Sequence, residues 1–254
     1  MTILCFHSVA PESSSTLTVS SDQFEAYCRW LKANRRIVPL ATAQANLDRR
    51  FRPRDSITAI TFDDGWSGVY DYAWPILRTY GLPFTVFVIA ETLVDPAVPR
   101  DWLDNPAGAP TDMITLEQTR EMVAAGVDIG SHSMRHDDLP SLGRSVCEKD
   151  LRDSKELLED VLSRSIPTLA YPKGRHDSVV RAAAEAAGYS AAYTLPEERE
   201  EVGQFSIPRV GIYPANGVSA LRIKTHPRYL DVRLHPVHEA VKTGKRLASS
   251  LGRR

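Results

Sequence analysis

The stretch ITAITFDDG, residues 57–65, decides the fold of this chain of 254 residues. Its first six residues are apolar or threonine and rich in β-branched side chains, which is typical of a strand buried on both faces of a parallel sheet. Two adjacent carboxylates, Asp63 and Asp64, follow at once, and Gly65 permits a sharp turn there. Because buried carboxylates are costly unless a cation neutralises them, we expect a charged site at the end of this strand.

Short apolar runs and longer amphipathic stretches alternate along the rest of the chain. The pattern predicts strands at 3–6, 37–40, 57–62, 83–89, 127–130, 168–171, 189–194 and 205–210. It predicts helices at 20–35, 69–80, 116–125, 145–162 and 178–187. About seven or eight strand–helix units favour an α/β fold of the distorted (β/α)7-8 TIM-like barrel type over an open doubly wound sheet. No G-x-G-x-x-G follows the first strand, which weakens a dinucleotide-binding interpretation.

The barrel is predicted to span residues 1–213. Residues 214–254 are predicted to form a helical, basic C-terminal extension of the same domain, with one marginal helix at 235–251. The one long connection, residues 91–112, is rich in Pro and Asp, and long loops in compact domains are often functional.

Composition excludes several classes of protein. The chain carries 31 basic and 32 acidic residues, a formal net charge of -1, so we expect no nucleic-acid partner. No apolar run is long enough for a transmembrane segment. The start of the chain lacks the features of a secretory signal, and the three cysteines contain no C-x-x-C pair, so we expect free thiols and a cytoplasmic location. The oligomeric state is left open.

A second motif, GSHSMRH at residues 130–136, follows another predicted strand. His132 and His136 are four residues apart, a spacing that places both on one face of a helical turn, where both could bind one zinc ion. Taken separately, two loop histidines, or an Asp-Gly turn that caps a helix near Ser67, would be unremarkable structural features. Together, two histidines and one carboxylate provide three ligands and leave an open position for water.

Two further segments lie at predicted strand ends. The stretch AYPKG, residues 170–174, is by itself an ordinary turn, and His7 ends the first strand. In a barrel, active residues gather at the carboxyl ends of the strands. We therefore expect a common site formed by Asp63, Asp64, His132, Tyr171 and His7.

In this order the motifs resemble those of the polysaccharide deacetylase family, also known as carbohydrate esterase family four. The resemblance covers roughly residues 7–209 and includes the elements TFDDG, HSMRH, FHSV and YPKG. It implies a distorted (β/α) barrel and metal-dependent removal of an acetyl group from a carbohydrate substrate, by N-deacetylation in preference to O-deacetylation.

The resemblance also implies roles for individual residues. Asp63 would be the general base, and the ligands of a divalent metal, zinc before others, would be Asp64, His132 and His136. The backbone N–H of Tyr171 would help to stabilise the oxyanion, and Ser133 would hold the histidine loop. Trp66 and Pro172 are candidate substrate contacts.

Two departures from the family pattern matter. Many members carry an arginine just before the aromatic–proline motif, where this chain has PTLA at residues 167–170, and Arg209 is our candidate to supply that charge from a later strand. Many members also end with a Leu-x-His element whose histidine is the general acid, and this chain has no clean copy. His226 is nearest by position and His7 is better placed in a barrel, so the acid is left open.

Three other functions share part of this sequence pattern. A catalytically degenerate carbohydrate-binding barrel would keep the fold without the reaction, and a deacylase of a small non-carbohydrate amide would keep the reaction without the sugar. Magnesium-dependent phosphoryl transfer through the aspartate pair is disfavoured, because phosphatases of the D-x-D type need carboxylates one residue apart.

Overall fold

The computed structural model describes residues 1–12, 15–46, 57–95, 98 and 112–235. Its strands are β1 (Thr2–Phe6), β2 (Ser8–Ala10), β3 (Thr18–Ser20), β4 (Arg36–Ile37), β5 (Ile57–Phe62), β6 (Thr85–Val88), β7 (Asp128–Ser131), β8 (Thr168–Ala170), β9 (Ala191–Thr194), β10 (Ile207–Pro208) and β11 (Val210–Gly211). Its α-helices are α1 (Ser21–Asn34), α2 (Leu40–Gln44), α3 (Trp74–Tyr80), α4 (Leu116–Ala124), α5 (Arg144–Leu162), α6 (Ser178–Ala186), α7 (Val218–Lys224) and α8 (Tyr229–Arg233).

One parallel sheet organises the described part of the chain. Its strand order is β10-β9-β8-β7-β6-β5-β1-β11, and β4 pairs with the beginning of β5. The two ends of this order meet in one short segment, because β10 pairs with β9, β11 pairs with β1, and only Arg209 lies between β10 and β11. The sheet is therefore nearly closed into a barrel surrounded by helices, which confirms the predicted α/β barrel class.

The alternation of side chains along β1 and β5 separates a helix-facing layer from the barrel interior. These two strands pair along their whole length, with Cys5 opposite Thr61 and Phe6 opposite Phe62. The two phenylalanine rings contact Phe24 of α1, with centroids 5.4 and 5.7 Å from it. Successive side chains of a strand point to opposite faces, so Cys5 and Thr61 point into the barrel.

Local sequence explains where the flanking helices begin. Ser20 caps α1 by accepting a hydrogen bond from the Gln23 N–H at 3.3 Å. Thr115 and Gln118 form a reciprocal capping box at the start of α4. None of the helices in the described residues combines the length and the apolar character needed to cross a membrane.

Two predicted elements have different boundaries because of proline. The predicted strand at 37–40 ends after Ile37, and Pro39 becomes the residue before α2. The predicted helix at 69–80 is instead a π-helical turn, Val69–Ala73, followed by α3. Pro75 is the second residue of α3, directly after the π-helical turn in which the Trp74 N–H donates to the Val69 carbonyl.

Other differences concern short elements. The predicted strand at 205–210 is two strands, β10 and β11, separated by Arg209, and the pair β2–β3 was not predicted. Helices α7 and α8 also lie where the sequence pattern fades. The predicted helix at 235–251 and most of the 91–112 connection fall outside the described residues.

The first part of the predicted C-terminal extension packs on the barrel. Leu221 of α7 is fully buried. Thr225, just after α7, accepts hydrogen bonds from Thr2 on its carbonyl oxygen and from the Arg35 guanidinium on its hydroxyl, at 3.2 and 3.0 Å. The predicted boundary at residue 213 remains a prediction.

Close packing in β7 yields a test of the fold. A Cβ atom added at Gly130 would lie 2.5 Å from the Phe87 ring and 2.8 Å from the Thr168 hydroxyl. We expect Gly130→Ala to lower the free energy of unfolding by about 1–3 kcal/mol, because neither neighbour can move without disturbing the barrel interior. Urea denaturation measures this change.

The matched control is Gly203→Ala, where the nearest atom is the Ser206 hydroxyl at 3.5 Å. Its stability should change by less than about 1 kcal/mol. Equal stability of the two variants would contradict the packing described for β7.

Candidate active site

The carboxyl ends of the strands surround a cavity of about 500 Å³. Five of the predicted site residues line it together: His7, Asp63, Asp64, His132 and His136. His7 follows β1, the aspartates follow β5, and the histidines follow β7. The expected gathering at one end of the barrel is therefore observed for Asp63, Asp64, His132 and His7, which His136 joins, but not for Tyr171, which is fully buried and does not line the cavity.

Asp63 forms a bidentate ion pair with Arg209 inside the barrel. The two guanidinium nitrogens Nη1 and Nη2 donate to the carboxylate oxygens Oδ1 and Oδ2 at 2.6 and 2.7 Å. Nη1 also donates to the hydroxyl of Thr61 at 3.1 Å. Arg209 is fully buried and Asp63 is only 2% exposed, so each charge depends on the other for its neutralisation.

A third group also contacts the Asp63 carboxylate. The thiol of Cys5 donates to Oδ2 at 3.3 Å. Burial alone would raise the pKa of Asp63, but the charge of Arg209 and that of His132 outweigh burial and hold this pKa below its usual value. Asp63 is therefore ionised at neutral pH despite its position.

The Asp64 carboxylate has different hydrogen-bond partners from that of Asp63. Its backbone has φ 71° and Gly65 follows with φ 81°, so the chain turns sharply at the end of β5. Asp64 Oδ2 accepts a hydrogen bond from the indole N–H of Trp66 at 2.9 Å. Neither carboxylate caps the helix that begins at Ser67, because their hydrogen bonds come from Arg209, Cys5 and the Trp66 indole. Burial alone would raise the pKa of Asp64, but His132 and His7 outweigh the effect of burial and lower this pKa.

The two histidines meet in a loop and not on a helical turn, so that expectation is wrong. Strand β7 ends at Ser131, and Ser133 and His136 both have left-handed backbones, with φ 67° and 66°. The hydroxyl of Ser133 accepts a hydrogen bond from the His136 N–H at 3.0 Å. This loop, rather than helical periodicity, brings the imidazoles to a centroid distance of 5.0 Å.

The neighbouring backbone orients the first imidazole. His132 Nδ1 lies 2.8 Å from the carbonyl oxygen of Ala170. A carbonyl can only accept, so Nδ1 carries the proton and Nε2 is directed at the site. That Nε2 atom lies 3.3 Å from Asp64 Oδ1, and Nε2 of His136 lies 3.5 Å from the same oxygen.

One carboxylate oxygen and two imidazole nitrogens thus converge on one point. Ligand atoms of Asp64, His132 and His136 all lie within 4.8 Å of one another, and all three residues are buried. At metal centres, a histidine ligand commonly donates its other ring N–H to a carbonyl oxygen, which fixes the orientation of the ring. The donor set fits a divalent cation of the zinc type, with a position left for water.

The protonation of these histidines is consistent with such a site. Burial, assisted by the charge of His132, lowers the pKa of His136 to about 4, so this imidazole is neutral at pH 7. Burial alone would lower the pKa of His132, but Asp63 and Asp64 outweigh it and raise it. A bound cation would replace that proton.

A second group of possible ligands is less suitable for a metal. Ligand atoms of Cys5, His7 and Asp63 also lie within 4.8 Å of one another. Both oxygens of Asp63, however, already accept from Arg209. A cation there would face a buried positive charge, so the group of Asp64, His132 and His136 is the better candidate for a metal site.

Three predicted contacts are placed differently by the structure. The N–H of Tyr171 donates to the carbonyl oxygen of Tyr193 in the sheet at 3.0 Å, so it does not face the cavity as an oxyanion donor. Trp66 is 3% exposed with its indole N–H on Asp64, which makes it a support for Asp64 and not a platform for a sugar. Pro172 is buried, whereas its neighbour Lys173 lines the cavity.

His7 is half-buried on the cavity wall. Its ring stacks near Tyr213, with centroids 6.1 Å apart. Its Nδ1 atom is buried with no hydrogen-bond partner among the described residues. The alternative, His226, is exposed and accepts from the Arg228 N–H at 3.2 Å, and it does not line this cavity.

Several contributors to the site were not predicted from the sequence, and four of them carry the arguments that follow. These four are the Ala170 carbonyl, Lys173, Lys224 and Arg233. No residue-type pattern marks a carbonyl. The position of Lys173 after the tyrosine–proline pair could have suggested it, and the two cations of α7 and α8 reach the cavity only through tertiary packing.

Comparisons with known proteins agree with this geometry. The profile of the polysaccharide deacetylase family matches residues 52–192, more than half of the chain, and the chain belongs to this family. The Bacillus subtilis (strain 168) protein YxkH is 29% identical over 222 residues, which cover 86% of this chain and 73% of that protein. A Staphylococcus aureus (strain MRSA252) poly-beta-1,6-N-acetyl-D-glucosamine N-deacetylase is 26% identical over 205 residues, covering 76% of this chain and 67% of that protein.

A solved structure has the same fold. The Streptococcus pyogenes deacetylase PplD in complex with acetate has a TM-score of 0.75 and 24% sequence identity, and the match covers 89% of this chain and 97% of that chain. This likeness shows that the two chains share their fold over nearly the whole of the matched length.

The Arg209–Asp63 pair yields a test of the site's architecture. Arg209→Met should lower the free energy of unfolding by about 3–5 kcal/mol, because it leaves a buried carboxylate without its partner. The double variant Arg209→Met/Asp63→Asn should recover most of that loss, since it removes both charges. Urea denaturation of the two variants and the parent chain measures the difference, and an equal loss in both variants would contradict a charge-based role.

Proposed function

We propose that this protein is a metal-dependent hydrolase that removes an N-acetyl group from a carbohydrate. The observation that carries the proposal is the convergence of Asp64, His132 and His136 beside a second, separately neutralised carboxylate, Asp63. The named N-deacetylase among the relatives supports N-acetyl over O-acetyl groups as substrate.

Asp64, His132 and His136 would hold the metal, zinc before other divalent ions. Bound there, the ion would supply a Lewis acid for the acetyl oxygen and a lowered pKa for an attacking water. The chain keeps this ligand set in place through Trp66 on Asp64 and through the Ala170 carbonyl on His132.

Asp63 is the proposed general base. Its Oδ2 atom lies 4.0 Å from Nε2 of His132, so it reaches the same space as the metal ligands. Arg209 keeps it ionised and fixes its orientation. In the reaction Asp63 takes a proton from water as the water oxygen attacks the acetyl carbon.

The proposed general acid is His7. It lines the same cavity, and a ring nitrogen lies within 4.8 Å of an Asp63 oxygen. It would protonate the amine nitrogen as the carbon–nitrogen bond breaks, which yields acetate and a free amino sugar.

Lys173 is the proposed donor to the oxyanion in place of Tyr171. The Tyr171 amide is used by the sheet, and Pro172 has no N–H. Lys173 lines the cavity, with a left-handed backbone of φ 57°. Its backbone N–H is the next donor along this segment.

The function is tested by zinc content together with acetate release from N-acetylglucosamine oligomers. We expect about one zinc per chain in the parent protein. Asp63→Asn should keep the zinc and lower acetate release at least about 100-fold, because it removes the base. This change also leaves the buried Arg209 without its ionised partner, so thermal melting must show that the variant is folded. His136→Ala should lose both zinc and activity. The control Asp71→Asn, at an exposed position outside the site, should match the parent chain.

Other outcomes would contradict the proposal in different ways. Full turnover by Asp63→Asn with zinc bound would refute the assigned base. Sugar binding without acetate release by the zinc-loaded parent chain would favour a carbohydrate-binding barrel. Acetate release from small amides but from no sugar would refute a carbohydrate substrate.

A further inference from the structure

The C-terminal helices supply part of the cavity wall. Lys224 of α7 and Arg233 of α8 line the same cavity as the metal-ligand residues, and Lys173 joins them from the segment after β8. The proposed hydrolysis of an acetyl group does not require the side-chain charge of any of these three residues. Their role therefore needs a separate explanation.

Within the described residues, these three side chains have no carboxylate partner. In the part of the chain that the structure describes, no ion pair joins any of them to a carboxylate. The Lys224 ammonium donates to the Gly211 carbonyl and to Asn216 Oδ1, both at 2.7 Å. The Arg233 guanidinium donates to the Pro196 carbonyl at 3.4 Å. All three acceptors are neutral.

The cavity is consequently positive although the chain as a whole is not. Arg209 neutralises Asp63, and a bound divalent cation would more than neutralise Asp64. Among the described residues that line the cavity, Glu197 is the one other carboxylate, against the three cations. A concave surface with this balance attracts anions.

Lys224 and Arg233 line one cavity from consecutive helices, α7 and α8, that contact each other. Burial, together with the charge of Arg233, lowers the pKa of Lys224 to about 8. Two neighbouring cations that share no carboxylate repel each other, and an anion between them would remove that cost.

We propose that the acetylated sugar deacetylated by this protein carries a phosphate group, and that Lys224 and Arg233 bind this phosphate. The inference rests on the proposed function and names its substrate class. A phosphate can accept hydrogen bonds from an ammonium and from a guanidinium at the same time, and its two negative charges would balance both cations. The cavity of about 500 Å³ is within the usual range for a ligand of sugar phosphate size.

Binding of deacetylated sugars tests the proposal without turnover. Isothermal titration of the zinc-loaded full chain should show glucosamine 1-phosphate binding at least about tenfold more tightly than glucosamine, with a preference that weakens as salt is added. Arg233→Gln and Lys224→Gln should each reduce that ratio about three- to tenfold, and the double variant should abolish it. The matched control Arg228→Gln, an exposed arginine outside the cavity, should retain the full ratio.

Several results would overturn the phosphate site. The first is equal affinity for the two sugars. The second is a preference for the phosphate that survives in the folded double variant, which would place the phosphate on the metal. The third is an equally strong preference for muramic acid, which would show that the site binds a carboxylate rather than a phosphate. Thermal melting of each variant verifies that it is folded. Failure of the proposed function has a different signature, namely no acetate from any acetylated sugar despite bound zinc.

Discussion

The buried ion pair between Arg209 and Asp63 is the constraint on which the rest of the structure depends. Arg209 is the single residue between the two short strands through which the sheet closes, and its side chain reaches across the interior to the end of β5. The segment that contains β10, Arg209 and β11 thus both closes the barrel and neutralises Asp63. Since a buried carboxylate without a partner is strongly unfavourable, the geometry of the closing segment and the charge of the site stabilise each other.

With Asp63 neutralised internally, the second carboxylate is left for a different partner. The turn at Asp64 and Gly65 directs the Asp64 carboxylate away from Arg209 and towards the two histidines. Those histidines are held by ordinary hydrogen bonds, from His132 to the Ala170 carbonyl and from the His136 N–H to the Ser133 hydroxyl. Adjacent residues of the same type therefore have separate roles, one in the chain's own ion pair and one in a ligand set suited to a cation.

Much of this arrangement could be predicted from the sequence because strand ends carry the chemistry. The buried run before Asp63, and the place of His132 and His136 after another strand, depend only on residue type and order. Arg209 was a candidate only because the family resemblance implies an arginine beside the catalytic aspartate. The helical turn predicted for the histidines was wrong because the left-handed backbones of Ser133 and His136 are set by tertiary contacts. Tyr171 likewise keeps its N–H in the sheet, and no residue pattern brings Lys224 and Arg233 to the cavity.

The central claim is that the negative charge at the end of β5 is divided between Arg209 and a metal held by Asp64, His132 and His136. Anomalous diffraction at the zinc edge from crystals of the zinc-loaded protein tests it most directly. We expect one peak, within about 2.0–2.2 Å of an Asp64 oxygen and of both Nε2 atoms, with the Arg209–Asp63 pair intact beside it. A peak on Asp63 with Arg209 displaced, or no peak at these residues, would contradict the account.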